Sequence, residues 1–172
     1  MNKQASLKLI ESLSNANGPS GFEDEVCSLI EKVASPFSSG FKADPMHNCY
    51  IPNNQNNISK EKTIMIDSHL DAVGLIVQAV KPNGTIKFVP LGGWVPANLT
   101  AEKMRIRNKD GKWVHGLVAT KPPHFMTDAE KKEPVKIENL VIDVGTTSAE
   151  ETRELLKIDT GVPLSQIRNG NI

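Results

Sequence analysis

The sequence predicts an α/β layer joined to a β-rich, barrel-like module. Three observations carry this. Residues 4–33 hold two apolar repeats at helical spacing, residues 63–71 open with a β-branched apolar run, and residues 72–144 hold short apolar runs separated by turn residues. Helices followed by a buried strand make a layer, whereas short strands punctuated by turns make a small barrel or sandwich.

In order along the chain, Leu7, Ile10 and Leu13 place one side of a helix over residues 4–14, and Asn17-Gly18-Pro19-Ser20-Gly21 breaks it. Ser20-Gly-Phe-Glu23 has the form of a capping box, in which a hydroxyl caps free amides and the Glu reaches back. Val26, Leu29, Ile30 and Val33 follow at i, i+3, i+4, i+7 spacing, and Pro36 limits that helix. Residues 40–51 read as a strand and a shorter one, and the Asn-rich residues 52–62 as a loop. The run opening residues 63–71 lacks clean alternation, as in a strand buried on both faces. Lys81-Pro-Asn-Gly84 and Asn108-Lys-Asp-Gly111 then sit between paired apolar runs and predict two hairpins. Residues 121–136 form a charged excursion, residues 140–144 a strand, and Ser148-Ala-Glu-Glu151 a second capping box opening a short helix to Leu156. Residues 161–172 begin like a new loop or strand.

The chain has 172 residues, enough to bury a core. Lys plus Arg is 20 and Asp plus Glu is 20. This balance argues against a nucleic-acid groove, which needs excess positive charge to displace counterions. No apolar run reaches the length of a membrane span, and the polar, amphipathic start does not read as a signal peptide. A cytoplasmic protein is the expectation. Its two cysteines, Cys27 and Cys49, form no Cys-x-x-Cys pair and read as reduced thiols; a disulfide between them is the alternative.

A strand ending in His-x-Asp is a useful place for a metal ligand, because sites in open α/β sheets gather beyond the carboxyl ends of strands. His69 offers an imidazole nitrogen to a divalent cation, and Asp71 can fix the tautomer of His69 or of another ligand. The plain alternative is a chance pair, since a catalytic zinc wants about three protein ligands. His47 has only Asp44 at useful spacing, His115 sits mid-strand, and His124 follows two prolines. Glu150 and Glu151 fit the first turn of a helix better than acid–base work. Asp143-Val-Gly145 reads as a hydrogen-bonded turn.

Five phrases, in this order, resemble one family: Gly18-Pro-Ser-Gly-Phe-Glu-Asp-Glu-Val26, Asp67-Ser-His-Leu-Asp-Ala-Val-Gly74, Leu91-Gly-Gly-Trp94, Lys121-Pro-Pro-His124 and Ile142-Asp-Val-Gly-Thr-Thr-Ser-Ala-Glu-Glu151. They are similar to the M42 metal-dependent aminopeptidases, the glutamyl and tetrahedral aminopeptidase group. The resemblance implies a catalytic α/β domain interrupted by a β-rich, barrel-like dimerisation domain. It implies two divalent metals, zinc or cobalt, large assemblies, and removal of N-terminal residues from peptides. By position, His69 matches the first metal ligand and Asp71 the acidic residue that orients the site. Residues 1–71 would be part of the catalytic domain, 72–158 the β-rich domain, and 159–172 the start of a return to the catalytic domain. The family's remaining ligands and catalytic Glu lie beyond the matched phrases.

The resemblance therefore implies the N-terminal portion of an aminopeptidase, inactive by itself. A metal would be held poorly by this chain alone. The partners implied are peptide substrates, copies of the chain, a full-length relative or a missing half, with no nucleic acid and no membrane. Two rivals remain: a non-enzymatic interaction protein acting through the β-rich module, and a split enzyme with its other ligands on a second chain.

Overall fold

The computed structural model describes residues 2–52 and 64–167. The chain divides into two compact units, with the boundary between Ala72 and Val73.

In the first unit, helix α1 spans Lys3–Asn15, and the Asn2 side chain caps it by accepting from the Ala5 amide at 2.9 Å. Helix α2 spans Asp24–Ala34 and buries Val26, Cys27 and Ala34. Its start differs from the predicted capping box. Glu23 occupies the N-cap position without a side-chain cap bond, and its Oε1 accepts from the Gly21 amide. The Ser20 hydroxyl turns instead to Asp71. The residues predicted as a strand and a shorter one form a small hairpin of β1, Lys42–Ala43, and β2, Cys49–Tyr50, paired antiparallel. Asp44 organises its turn by accepting from the Met46 and Asn48 amides, with His47 at φ 63°.

The expected buried strand over residues 63–71 is a correction. Residues 64–71 have no strand structure, and Ile64, Met65 and Ile66 are 90%, 85% and 93% exposed. Apolar composition supplies a tendency toward burial, but a strand also needs a neighbour's hydrogen bonds. Among the described residues none pairs with this segment. The Asn-rich stretch, apart from Pro52, lies outside the described residues, as does the tail from residue 168.

The second unit is a closed antiparallel barrel. Its strands are β3 (Gly74–Val80), β4 (Ile86–Leu91), β5 (Lys103–Arg107), β6 (Trp113–Ala119), β7 (Val141–Asp143) and β8 (Pro163–Gln166). They run around the barrel in the order β3-β4-β7-β6-β5-β8. Alternation points Leu75, Val77, Ile86, Phe88, Met104, Ile106, Val118, Ile142 and Leu164 into one core, joined by Leu99, Leu140 and Ile158 from the connections. Both predicted hairpins are present. Gly84, at φ 83°, turns the first, and Gly111, at φ 75°, the second. Asn108 Oδ1 braces the second turn by accepting from the Asp110 and Lys112 amides.

Among the described residues three short α-helices sit between strands: α3, Pro96–Leu99; α4, Asp128–Lys132; and α5, Ala149–Glu154. The Ser148 side chain caps α5 by accepting from the Glu151 amide, as its sequence predicts. The Glu151 carboxylate reaches the Thr147 amide rather than that of Ser148. Thr152, wholly buried on α5, donates to the Gly84 carbonyl at 2.9 Å and ties the helix to the first hairpin.

The sequence reading ended the β-rich module at residue 158, whereas β8 lies beyond that point and pairs with both β3 and β5. The four residues of β8 include Pro163, which has no amide hydrogen to donate, so the segment carries little strand signal of its own.

Gly116 faces the barrel core, where an added Cβ would lie 2.7 Å from Ile142 Cγ2 and 3.0 Å from Ile106 Cδ1. A Gly116→Val chain is expected to lose about 1–3 kcal/mol of barrel stability in urea unfolding, through overpacking. Lys109 lies 2.9 Å from Asp159, and this ion pair, together with the Thr160 amide, holds the Asp159 carboxyl at about 2 instead of its usual 3.8. The folded form is thus favoured above pH 3.8, and that part of the stability is lost as pH falls toward about 2. An Asp159→Asn chain should show a shallower loss of thermal stability across this window.

Candidate functional site

The site begins with the loop before α2. The Ala72 amide donates to the Gly18 carbonyl at 2.7 Å, and Pro19 and Ala72 form a parallel bridge. Gly18 permits this approach, because a Cβ there would lie 2.5 Å from Val26 Cγ2 on α2. A tight turn follows, in which the Phe22 amide donates to the Pro19 carbonyl and Gly21 takes φ 86°. Ser20 is thereby set against Asp71.

Three side chains form the cluster. Ser20 Oγ donates to Asp71 Oδ2 at 2.5 Å. His69 Nδ1 lies 3.0 Å from Asp71 Oδ1 and 3.0 Å from the Asp71 main-chain carbonyl. A carbonyl and a carboxylate both accept only, so Nδ1 carries the hydrogen. In the neutral ring this leaves Nε2 with its lone pair, directed away from Asp71. The Ser20 hydroxyl bond, and then His69, hold the Asp71 carboxyl below the usual carboxylate range against the opposing effect of burial. His69 itself is highly exposed, at 85% of its side chain.

The structure brings together the two residues singled out by sequence, His69 and Asp71, and adds Ser20, whose 51-residue separation from Asp71 left no local signal. A second cluster was also missed. His47 Nδ1 donates to Glu23 Oε2 at 2.8 Å, and His47 Nε2 lies 3.5 Å from Asp24 Oδ1. Asp44, the carboxylate nearest in sequence, serves its own turn instead. His115 is exposed on β6, and His124 packs edge-on to Phe125 with ring centroids 5.5 Å apart. Asp143 Oδ1 accepts from the Gly145 amide, which is the predicted turn.

The sequence profile of the M42 glutamyl aminopeptidases matches residues 50–169. The lysyl aminopeptidase of Pyrococcus furiosus is 29% identical over 151 residues, which span 86% of this chain and 42% of that protein. A TET aminopeptidase from the marine sediment archaeon Thaumarchaeota archaeon SCGC AB-539-E09 superposes with a TM-score of 0.83 at 30% identity, over 97% of this chain and 45% of that one. The aminopeptidase APDkam598 of Desulfurococcus kamchatkensis superposes with a TM-score of 0.85 at 27% identity, over 96% and 44%. With two helices and a small hairpin in the first unit and a closed barrel in the second, the fold is that of these aminopeptidases. The chain belongs to the M42 glutamyl aminopeptidase family. It spans about two fifths of the length of the curated relatives it matches.

The family implies a divalent metal. The donor set on the described residues does not fit one by itself. Among the described residues no group of three or more His, Cys, Asp or Glu side chains gathers to hold an ion. Each Asp71 oxygen accepts one hydrogen bond, from Ser20 or from His69, and the neutral His69 ring keeps its lone pair on Nε2.

Nitrogen NMR of the His69 ring should show the Nδ1–H tautomer in the native chain. An Asp71→Ala chain, which loses the carboxylate but keeps the main-chain carbonyl as acceptor, should show a smaller Nδ1–H fraction than the native chain.

Proposed function

We propose that this chain supplies the His69–Asp71 corner of an aminopeptidase metal centre, and that these 172 residues alone do not release amino acids from peptides. One observation carries the proposal. Asp71, gripped by the Ser20 hydroxyl, accepts from His69 Nδ1 and so presents Nε2 as a ligand. Buttressing of this kind commonly orients a metal-bound imidazole and raises its basicity. A bound divalent metal would activate water for attack on the peptide carbonyl. This chain's part is to hold one imidazole in its ligating tautomer. One imidazole falls short of the roughly three protein ligands that catalytic sites use. Asp71 accepts from Ser20 and His69, and these bonds hold its carboxyl below the usual range, which makes it a weaker base than an ordinary carboxylate.

A second reading rests on Ile64, Met65 and Ile66, three consecutive apolar side chains left almost fully exposed. Such a run favours a covering partner. Here the chain acts by docking, on a copy of itself or on another chain that brings the remaining ligands.

The deciding experiment is hydrolysis of aminoacyl-p-nitroanilides by the purified chain with zinc or cobalt added, beside a His69→Ala control. No release above that control is expected. Metal-dependent release that His69→Ala abolishes would show that other residues of this chain complete the centre.

A further inference from the structure

The two cysteines lie far from each other in sequence and meet in the first unit. Cys27 is buried on α2, and Cys49 is half-buried on β2. Both thiols donate to one acceptor, the His47 carbonyl, at 3.4 Å from Cys27 Sγ and 3.7 Å from Cys49 Sγ. The two sulfurs therefore converge on one carbonyl oxygen. His47, at φ 63°, is the turn residue that offers its carbonyl to both. Its ring is held on the other side by Glu23 at the head of α2. The hairpin is therefore fastened to α2 through His47 from two directions, and the sulfur pair bridges the same two elements.

We propose that Cys27 and Cys49 are a reversible disulfide site, closed by a peroxide, that staples the β1–β2 hairpin to α2. The more exposed Cys49 reacts first. Its sulfur attacks the peroxide O–O bond and gives up its proton; one oxygen becomes the sulfenic acid and the other leaves as water. The Cys27 sulfur then attacks the Cys49 sulfur, and the displaced hydroxide takes the Cys27 proton and leaves as a second water. Two thiols are oxidised by two electrons, and one hydrogen peroxide is reduced to two waters. Burial, the Cys49 contact and the charges of Glu23 and Asp24 push the Cys27 thiol up to about 12, so its thiolate is scarce. The second step is therefore the slow one, and the Cys49 sulfenic acid lives long enough to trap. A dithiol reductant reverses the bond by exchange.

The test treats the full chain with one equivalent of hydrogen peroxide, then reads free thiols and intact mass. Native chain is expected to lose both titratable thiols and the mass of two hydrogen atoms within a monomer. A peptide map should join the segments bearing Cys27 and Cys49, and dithiothreitol should restore both thiols. Cys27→Ser should leave a dimedone-trappable sulfenic acid on Cys49 without that mass loss. Cys49→Ser should leave Cys27 unmodified at the same dose. Native chain that keeps both thiols would overturn the proposal. So would one that carries only oxygen adducts on Cys49, or one that forms disulfides only between two chains.

Discussion

A sheet has two edges, and each is a row of unpaired amides and carbonyls until something covers it. In the second unit a single short strand covers both. Leu164 and Pro163 on β8 pair with Leu75 and Ile76, while Leu164, Ser165 and Gln166 pair with Ile106, Arg105 and Met104. Leu164 thus faces partners on two sides and is wholly buried between them. Without this strand β3 and β5 would each have an open flank, and the apolar side chains of one core would face water along that seam. The hairpins, the plugging residues Leu99 and Ile158, and the clasp of Thr152 on Gly84 all presuppose a closed wall.

The first unit has no comparable constraint. Its buried apolar side chains among the described residues are Val26, Cys27 and Ala34, and α1 buries none. At about 1.5–3 kcal/mol for each large apolar side chain fully buried, this core contributes far less than the barrel's. Its order is carried by polar devices: Asp44 across its turn, Ser38 donating to the Pro52 carbonyl, and Gly18 receiving the Ala72 amide. Each is a single hydrogen bond worth roughly 1 kcal/mol net. The apolar run at Ile64–Ile66 is surface that this unit does not bury.

Legibility in sequence followed the range of the interaction. Turns at Gly84 and Gly111, the Ser148 cap and the Asp143 turn are set by residues a few positions apart, and their residue types announce them. The short apolar runs that become β3 to β6 flank those turns, so each hairpin is announced without knowledge of the rest of the barrel. Strand β8 was legible only as a loop or strand opening residues 161–172, outside the β-rich module, because its assignment depends on β3 and β5 and its own four residues include a proline. The Ser20 reading failed for a related reason. A hydroxyl before Glu23 has the pattern of a helix cap, yet the same hydroxyl finds an ionised carboxylate 51 residues away, and a charge-assisted bond outcompetes a neutral amide. His47 could be matched only to Asp44 by spacing, whereas folding gives it Glu23, 24 residues distant.

These points bear on what the His69 corner can do. Three atoms in sequence order, a hydroxyl, an imidazole nitrogen and a carboxylate, assemble because one backbone bond brings residue 18 beside residue 72. That bond fixes Asp71, Asp71 fixes the ring, and the ring carries a lone pair outward. But the ring stands 85% exposed, in a medium where Coulomb attraction is screened by water's dielectric. A cation held there by a single nitrogen gains little beyond what it loses in hydration. The orientation of the imidazole is supplied by this chain through Asp71. Tautomer control at His69 is consequently a property these residues can have by themselves, because both acceptors of Nδ1 belong to Asp71.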